Sequence, residues 1–236
     1  MRSRLIGRLA AVLLLAGLAV VGLILISGGN DETEAPAPKP GAPSEAQQVE
    51  QLYGGIPQAG IHLGKPGAPA TLVEIADLQC PFCAQYSTTA LPTIVRDYVR
   101  TGKVRYELHF RSFLGRDSVR AAGAAAYAAK HDRMYQFADL FYRNQGPENS
   151  DYADSAFIRK IASQVSGLDP GQAAAAANDP LSWPAVRAGE LFARGLGSTG
   201  TPDFHVRQGA RLTPLNVQGT APEDYARALD AALGRT

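Results

Sequence analysis

The two cysteines of the chain are the residues whose type and spacing could do chemistry. They lie in the run Cys80-Pro81-Phe82-Cys83, and the 236-residue sequence contains no other cysteine. A disulfide framework is therefore excluded, and a structural disulfide across so short a loop would add little stability, because that stabilisation grows with loop length. The value of the pair is chemical, since a thiolate is the nucleophile of disulfide exchange and a second thiol can resolve the mixed disulfide.

Two other uses of a Cys-x-x-Cys pair stay open on spacing alone. The pair could bind a metal ion, although a structural zinc site usually needs four ligands and the four histidines of the chain lack zinc-ligand spacing. The pair could also be an inert disulfide. Attachment of a c-type haem is excluded, because Ala84 and not His follows Cys83.

The elements around the pair are predicted to place Cys80 at the N-terminus of a helix. Residues 70–77 are mostly apolar and β-branched, which predicts a buried strand. Residues 82–100 carry apolar side chains at helical spacing, with Pro92 able to kink the helix. The helix dipole and free N–H groups would acidify Cys80, which is expected to be exposed, with the second cysteine one turn inside.

The rest of the soluble part is predicted to be a helical block between strands. Residues 104–110 alternate as a second strand, and residues from about 112 to 197 carry helical patterns without strands. Strands over 204–207 and 211–215 and a helix over 222–233 follow. The predicted order is β-α-β, several helices, then β-β-α.

The N-terminal region is predicted to be a single-pass membrane anchor. Residues 9–26 are uncharged and apolar, about the ~18–20 residues that cross a bilayer. Arg2, Arg4 and Arg8 precede the segment and acidic residues follow it, so the positive-inside rule places residues 1–8 in the cytoplasm. The alternative is a cleaved signal peptide, but the apolar stretch is longer than the ~7–15 residues typical of one.

The segment after the anchor is predicted to be a disordered linker. Residues 27–50 are rich in Pro, Gly and acidic residues, a composition that cannot compensate the entropy of folding. The linker would join the membrane to a domain over residues 51–236 on the extracytoplasmic side. That compartment is oxidising, and paired thiols there commonly form disulfides.

Composition and charge fit a folded domain and disfavour nucleic-acid binding. Hydrophobic residues make up 45% of the chain, and 23 Lys and Arg residues nearly balance 22 Asp and Glu residues. At ~150 residues per domain, the length predicts one or two domains with a real core. The balanced charge provides no electrostatic footprint for nucleic acid.

Five runs of the sequence form a recognisable pattern. They are Leu63-Gly64-Lys65-Pro66, Ala68-Pro69, Leu72-Val73-Glu74-Ile75, Asp77-Leu78-Gln79-Cys80-Pro81-Phe82-Cys83 and Gly200-Thr201-Pro202-Asp203-Phe204. Together they resemble the DsbA-like thiol:disulfide oxidoreductases, which have the thioredoxin fold, and the resemblance covers about residues 58–234. The last run is similar to the family's cis-proline loop. The resemblance implies an α/β thioredoxin fold in which the block over 112–197 is the family's helical insertion, preceded here by one transmembrane helix.

The resemblance also implies the catalytic residues. Cys80 would exchange disulfides with the substrate, and Cys83 would resolve the mixed disulfide. Glu74 matches the family's buried acid beneath the active site, which can exchange a proton with the resolving thiol. A buried, unpaired carboxylate would have a raised pKa, as proton transfer requires. From the strand pattern alone, the alternative for Glu74 is a solvent-facing carboxylate at a strand edge.

Four further residues are implied to contact the substrate. Pro202 would be cis, and with Thr201 it would pack against the cysteines and offer main-chain hydrogen bonds to an extended peptide, while Pro81 and Phe82 form the spacer. Phe82 is a departure, because the strongest oxidases of the family carry His there and Phe cannot donate to the Cys80 thiolate. We therefore expect a Cys80 pKa between the ~7 of thioredoxin and the ~3.5 of DsbA.

By resemblance, the protein is expected to donate disulfides to unfolded exported proteins. A quinone-linked membrane partner of the DsbB or vitamin-K-epoxide-reductase type would reoxidise it, and no organic cofactor or metal is expected. One alternative is a membrane-tethered reductase or isomerase. Another is a thioredoxin-fold metal-binding or chaperone module.

Overall fold

The computed structural model describes residues 42–180 and 183–234. The predicted cytoplasmic segment 1–8, the predicted anchor 9–26 and most of the predicted linker 27–50 lie outside them. Across the described ranges, no helix is both long enough and apolar enough to span a membrane.

The predicted linker is wrong over its C-terminal part, because a helix begins before its predicted end. Helix α1 spans Glu45–Tyr53 and starts in a capping box, in which the Ser44 hydroxyl accepts from the Gln47 N–H and the Gln47 side chain accepts from the Ser44 N–H. Val49 and Tyr53, four residues apart, form the buried stripe of this helix. These features outweigh the nearby prolines that suggested disorder.

A six-stranded mixed sheet forms the centre of the domain, in the order β1-β2-β4-β3-β5-β6. The strands are β1 (Gln58–Ala59), β2 (His62–Leu63), β3 (Thr71–Ala76), β4 (Arg105–Phe110), β5 (Asp203–Gln208) and β6 (Arg211–Pro214). Strand β3 pairs in parallel with β4 and antiparallel with β5, so it is central. The four predicted strands are confirmed. Strands β1 and β2 were not predicted, because two residues each are too few to carry a periodic pattern.

The helices surround this sheet, and several of them form an insertion between β4 and β5. They are α2 (Pro81–Thr89), α3 (Leu91–Ile94), α4 (Arg116–Lys130), α5 (Met134–Arg143), α6 (Ser155–Ala162), α7 (Pro170–Asn178), α8 (Pro184–Gly195) and α9 (Pro222–Ala232). Helices α4 to α8 occupy the predicted helical block, which confirms an α/β fold with a helical insertion. Helices α4 and α7 approach closely at Gly123, where a Cβ would contact the Ala176 carbonyl.

The long helix predicted after the cysteines is broken rather than continuous. It divides into α2, α3 and a π-helical turn over Val95–Val99. Pro92 lacks an N–H and lies in the first turn of α3, where no intrahelical donor is needed. The predicted kink near Pro92 is thus confirmed.

The two faces of the sheet differ in chemistry. Glu74 of β3 faces α2, whereas its neighbour Val73 faces the opposite side, in register with Glu107 of β4 and His205 of β5. Glu107 is buried on that opposite face. Its carboxylate accepts two hydrogen bonds from the Arg207 guanidinium, one of which is 3.1 Å long, and it lies 2.7 Å from the His109 ring nitrogen.

Candidate active site

Cys80 lies at the N-cap of α2, as the sequence predicts. Its backbone is extended, with φ −69° and ψ 119°, and Pro81 occupies the first turn of the helix. The turn from β3 closes through the Cys80 N–H, which donates to the Asp77 carbonyl at 3.0 Å, and the Ala84 N–H donates to the Cys80 carbonyl at 3.1 Å. Both cysteines are free thiols. A strand end followed by a Pro-initiated helix thus positions the first cysteine.

The two thiols are held in opposite protonation states. A hydrogen bond from the Cys83 thiol is the largest cause that lowers the pKa of Cys80. Burial opposes the shift, while the Thr201 side chain and the N–H groups of Cys83 and Phe82 add to it, and the pKa of Cys80 is about 6. Burial, and then its hydrogen bond to Cys80, raises the pKa of Cys83 well above its ordinary value. The Cys80 value lies in the expected range.

Cys80 is less exposed than the sequence suggested. Only 4% of its surface is accessible, and Cys83 is fully buried. The reason is the loop before β5, because the Thr201 carbonyl oxygen lies 3.2 Å from Cys80 Sγ and covers it. The prediction of an exposed first sulfur is therefore wrong.

The Thr201–Pro202 peptide bond is cis, as expected from the resemblance. This loop lies against Cys80 and leads directly into β5. Arg111 holds the preceding turn, since its guanidinium donates to the Ser198 carbonyl at 2.5 Å while its N–H donates to the Ala76 carbonyl at the end of β3. The structure therefore brings together Cys80, Thr201 and Pro202, although they lie far apart in the sequence.

Apolar side chains are exposed both in the Cys80–Cys83 segment and on the loop after β4. Pro81 is exposed, and 66% of Phe82 is accessible. Phe113, on the loop after β4, is also exposed, and the Arg111 guanidinium lies 4.6 Å from its ring centroid. Sequence reasoning did not identify Phe113, because a single aromatic residue in a loop carries no periodic signal.

A groove of about 230 Å³ opens beside the cis-proline loop. Its walls are Pro202, Asp203, Phe204, Leu215, Asn216, Val217, Gln218, Gly219 and Tyr225. The Leu215 N–H donates to the Phe204 carbonyl at 2.8 Å, which fixes one wall to β5. An extended peptide lying against Pro202 would therefore meet this groove, whose far wall the sequence did not reveal.

Glu74 is buried beneath the cysteines, so the alternative of a solvent-facing carboxylate is wrong. Burial raises its pKa to about 8, although a hydrogen bond from the Tyr106 hydroxyl partly offsets the shift. This hydrogen bond to Oε2 is 2.5 Å long. The Tyr106 hydroxyl also lies 3.1 Å from the hydroxyl of Tyr86 on α2. Near neutral pH, Glu74 is a protonated acid under a site that needs protons.

Asp77 is a second buried carboxylate, which sequence reasoning did not assign to the site. Its carboxylate accepts from the N–H groups of Gln79, Phe113 and Leu114 at 2.8, 3.1 and 3.2 Å, and from the Ser118 hydroxyl at 2.6 Å. Burial raises the pKa of Asp77 in spite of these bonds. The carboxylate thereby ties the turn before the first cysteine to α4 and to the loop after β4.

In the part of the chain that the structure describes, no third potential metal ligand completes a site with Cys80 and Cys83. Within residues 42–180 and 183–234, no three His, Cys, Asp or Glu side chains are arranged to hold a metal ion. His205 follows the cis-proline loop, but it lies on the face of the sheet opposite Glu74 and its ring nitrogen is 3.3 Å from Asp203. The α2 side of the sheet carries the two thiols and the buried Glu74 carboxyl.

Known proteins share both the sequence pattern and the fold. The thioredoxin family model matches residues 57–219. The chain is 30% identical over 167 residues to the probable disulfide bond formation protein D of Bacillus cereus, and the aligned region covers 70% of each of the two proteins. It is 26% identical over 110 residues to disulfide bond formation protein D of Bacillus subtilis, covering 46% of this chain and 50% of the relative.

Two solved structures show the likeness of fold. The crystal structure of oxidised BdbD from Bacillus subtilis has a TM-score of 0.65 at 19% identity, covering 76% of this chain and 97% of that one. DsbA from Chlamydia trachomatis has a TM-score of 0.61 at 18% identity, covering 73% and 90%. The chain therefore belongs to the thioredoxin family, and within that family it is a DsbA-like protein disulfide oxidoreductase.

Proposed function

We propose that this oxidoreductase works as a dithiol oxidase, which donates the Cys80–Cys83 disulfide to exported proteins. The observation that carries the proposal is the stabilised thiolate of Cys80, held by the Cys83 thiol and by the N–H groups at the start of α2. Groups that stabilise the thiolate stabilise the reduced enzyme and leave the disulfide comparatively unstable. The balance therefore favours transfer of the disulfide to a substrate.

The reaction proceeds through two exchanges. A substrate thiolate attacks Sγ of Cys80, the bond between the two enzyme sulfurs breaks, and Cys83 leaves as a thiolate. A second substrate thiolate then attacks the substrate sulfur of the mixed disulfide and releases Cys80. The substrate loses two electrons and the enzyme disulfide gains them. The stabilised Cys80 thiolate is a good leaving group in the second exchange.

We assign the proton of the first exchange to Glu74. The pKa of Cys83 is well above its ordinary value, so its thiolate takes up a proton at neutral pH. Glu74 is buried beneath the pair, and its pKa of about 8 keeps it protonated at that pH. The carboxyl thus serves as the proton donor in oxidation of substrates and as the acceptor when the enzyme is reoxidised.

Pro81, Phe82, Thr201 and Pro202 are assigned to substrate binding. The exposed Pro81 and Phe82 offer apolar contact beside the reactive sulfur. The cis-proline loop lies against Cys80 and opens onto the neighbouring groove. An unfolded chain with an accessible thiol fits this open surface.

We propose the location from the sequence and the redox partner from the family resemblance. Residues 9–26 would anchor the chain with its catalytic domain on the extracytoplasmic side, which the arginines before the segment support. A quinone-linked membrane oxidase, of the DsbB or vitamin-K-epoxide-reductase type, would accept two electrons from the reduced pair. In whole cells first reduced with dithiothreitol and washed, a membrane-impermeant maleimide should label Cys80, whereas labelling only after lysis contradicts this location.

The reduction potential of the pair tests the direction of electron flow. The full-length protein in detergent is equilibrated with glutathione buffers, and the fraction of reduced Cys80 and Cys83 is measured by thiol trapping. A potential near or above ~−180 mV supports the oxidase, whereas a value near ~−270 mV, as in thioredoxin, contradicts it and favours a reductase. Cys83→Ala serves as the control that cannot form the intramolecular disulfide.

A further inference from the structure

Glu74 is one end of a hydrogen-bonded network of three buried side chains, with Tyr106 in the middle and Tyr86 at the other end. The Tyr106 hydroxyl lies 2.5 Å from Glu74 Oε2 and 3.1 Å from the Tyr86 hydroxyl. The exposed fractions are 3% for Glu74, 0% for Tyr106 and 1% for Tyr86. Burial of three polar groups is favourable only when they satisfy one another.

The two distances favour one arrangement of the protons in this network. A tyrosine hydroxyl carries one proton, so Tyr106 cannot donate both to the carboxylate and to Tyr86. The shorter bond, to Glu74, takes the Tyr106 proton, and Tyr86 donates to the Tyr106 oxygen. Because Tyr106 binds Oε2, the other carboxyl oxygen, Oε1, is left to carry the acid proton.

We propose that Tyr106 and Tyr86 are positioning residues that hold Glu74 ready to give its proton to Cys83, an inference that rests on the role proposed above for Glu74. In this step the O–H bond of Glu74 breaks, the S–H bond of Cys83 forms, and the negative charge moves from sulfur to carboxylate. The Tyr106 O–H, already aimed at Oε2, stabilises that charge without reorganisation. Tyr86 strengthens the Tyr106 bond by donating to its oxygen.

The position of Tyr86 on α2 connects this hydrogen-bonded network to the cysteines. Tyr86 lies three residues after Cys83 on α2, so both side chains project from the same face of the helix. Its ring packs against Phe204 and Tyr225, each at a centroid distance of 4.7 Å, and both of these residues line the groove beside the cis-proline. Aromatic packing therefore fixes Tyr86 at one end of the network, while the hydrogen bond from Tyr106 fixes Glu74 at the other end.

The pKa of Glu74 is the direct readout. Difference infrared spectroscopy of the reduced full-length protein in detergent follows the C=O stretch of the protonated carboxyl with pH, and its loss in Glu74→Gln assigns the band. A hydrogen bond to a charged acceptor corresponds to about one to two pKa units. We expect Tyr106→Phe to raise the Glu74 pKa by that amount and Tyr86→Phe to raise it by less.

Tyr53→Phe is the matched control. Tyr53 is equally buried, and its hydroxyl donates to a buried carboxylate, Asp139, at 3.1 Å. Tyr53→Phe removes the same kind of hydrogen bond outside the Glu74 network, so this variant should leave the Glu74 pKa unchanged. An unchanged Glu74 pKa in Tyr106→Phe, or an equal shift in Tyr53→Phe, overturns the inference.

Kinetics separates this inference from the role of Glu74 itself. The oxidised protein is mixed with dithiothreitol, and the rate of enzyme reduction is recorded against pH. We expect Glu74→Gln to slow the reaction at neutral pH and Tyr106→Phe to move the inflection of the profile by the same amount as the infrared pKa. If Glu74→Gln slows the reaction but Tyr106→Phe leaves the profile unmoved, only the tyrosine inference fails. An unchanged profile in Glu74→Gln overturns the proton role of Glu74 and this inference with it.

Discussion

Replacing Glu74 by glutamine should stabilise the protein increasingly as the pH rises. The folded chain keeps the Glu74 proton up to about pH 8, whereas the unfolded chain loses it near the ordinary pKa of 4.5. The folded state thus binds more protons in this window, so its stability falls as the pH rises through it. At ~1.36 kcal/mol per unit, the loss reaches about 3 kcal/mol at pH 7 and about 5 kcal/mol above pH 8.

Urea unfolding of the reduced wild type and of Glu74→Gln, at a series of pH values, measures this difference. The neutral amide keeps the shape of the side chain and can still accept from Tyr106, so the gap in unfolding free energy isolates the titration. It should widen by about 3 kcal/mol from pH 4.5 to pH 7 and become constant above about pH 8. Parallel pH curves for the two proteins would refute the reasoning.

Glu107→Gln is a matched control in which the pH dependence of stability is expected to have the opposite sign. Glu107 is buried on the other face of the sheet. Burial alone would raise its pKa, but the hydrogen bonds with His109 and Arg207 outweigh burial and hold the pKa at about 2. Its depressed pKa contributes stability above pH 4.5 that is lost as the pH falls toward 2. Glu107→Gln should therefore destabilise at pH 7, with a deficit that shrinks in acid.

Three further substitutions test the site. Cys83→Ala removes the largest cause of the lowered Cys80 pKa and should move it from about 6 toward 9.0, as measured by the pH dependence of iodoacetamide alkylation. Asp77→Ala leaves buried donors without an acceptor and should lower the unfolding free energy by about 3–5 kcal/mol in urea titrations; a loss below about 1 kcal/mol would contradict its structural role. Phe82→His adds a donor beside the Cys80 thiolate and should raise the reduction potential in glutathione buffers, whereas Phe82→Ala should not.

The strands and helices near the cysteines were predictable because their signals are local. The strand predicted over 70–77 is observed over Thr71–Ala76, and the Cys-Pro pair marks the start of α2. The cis bond before Pro202 was expected from the family resemblance and not from the residues alone, since most X-Pro bonds are trans.

Helix α1 was missed although its signal is also local. The pair Ser44 and Gln47 has the spacing of a capping box, and Val49 and Tyr53 have helical spacing. The proline-rich composition of the preceding residues dominated the prediction. The short helix is stable because Val49 and Tyr53 pack into the core, a tertiary contribution that composition does not report.

By itself, the sequence determined that the chain has one dithiol pair, at a strand-to-helix junction, in an α/β domain with a helical insertion. These properties depend on residue type and short spacing. The family resemblance implied a buried Glu74, but only the tertiary structure decided that Tyr106 and Tyr86 are its hydrogen-bonded partners, and that the Asp77 carboxylate accepts hydrogen bonds from α4 and from the loop after β4. The bonded partners lie 20 to 41 residues apart. No periodic pattern links such distant positions, because their contact arises only when strands and helices pack.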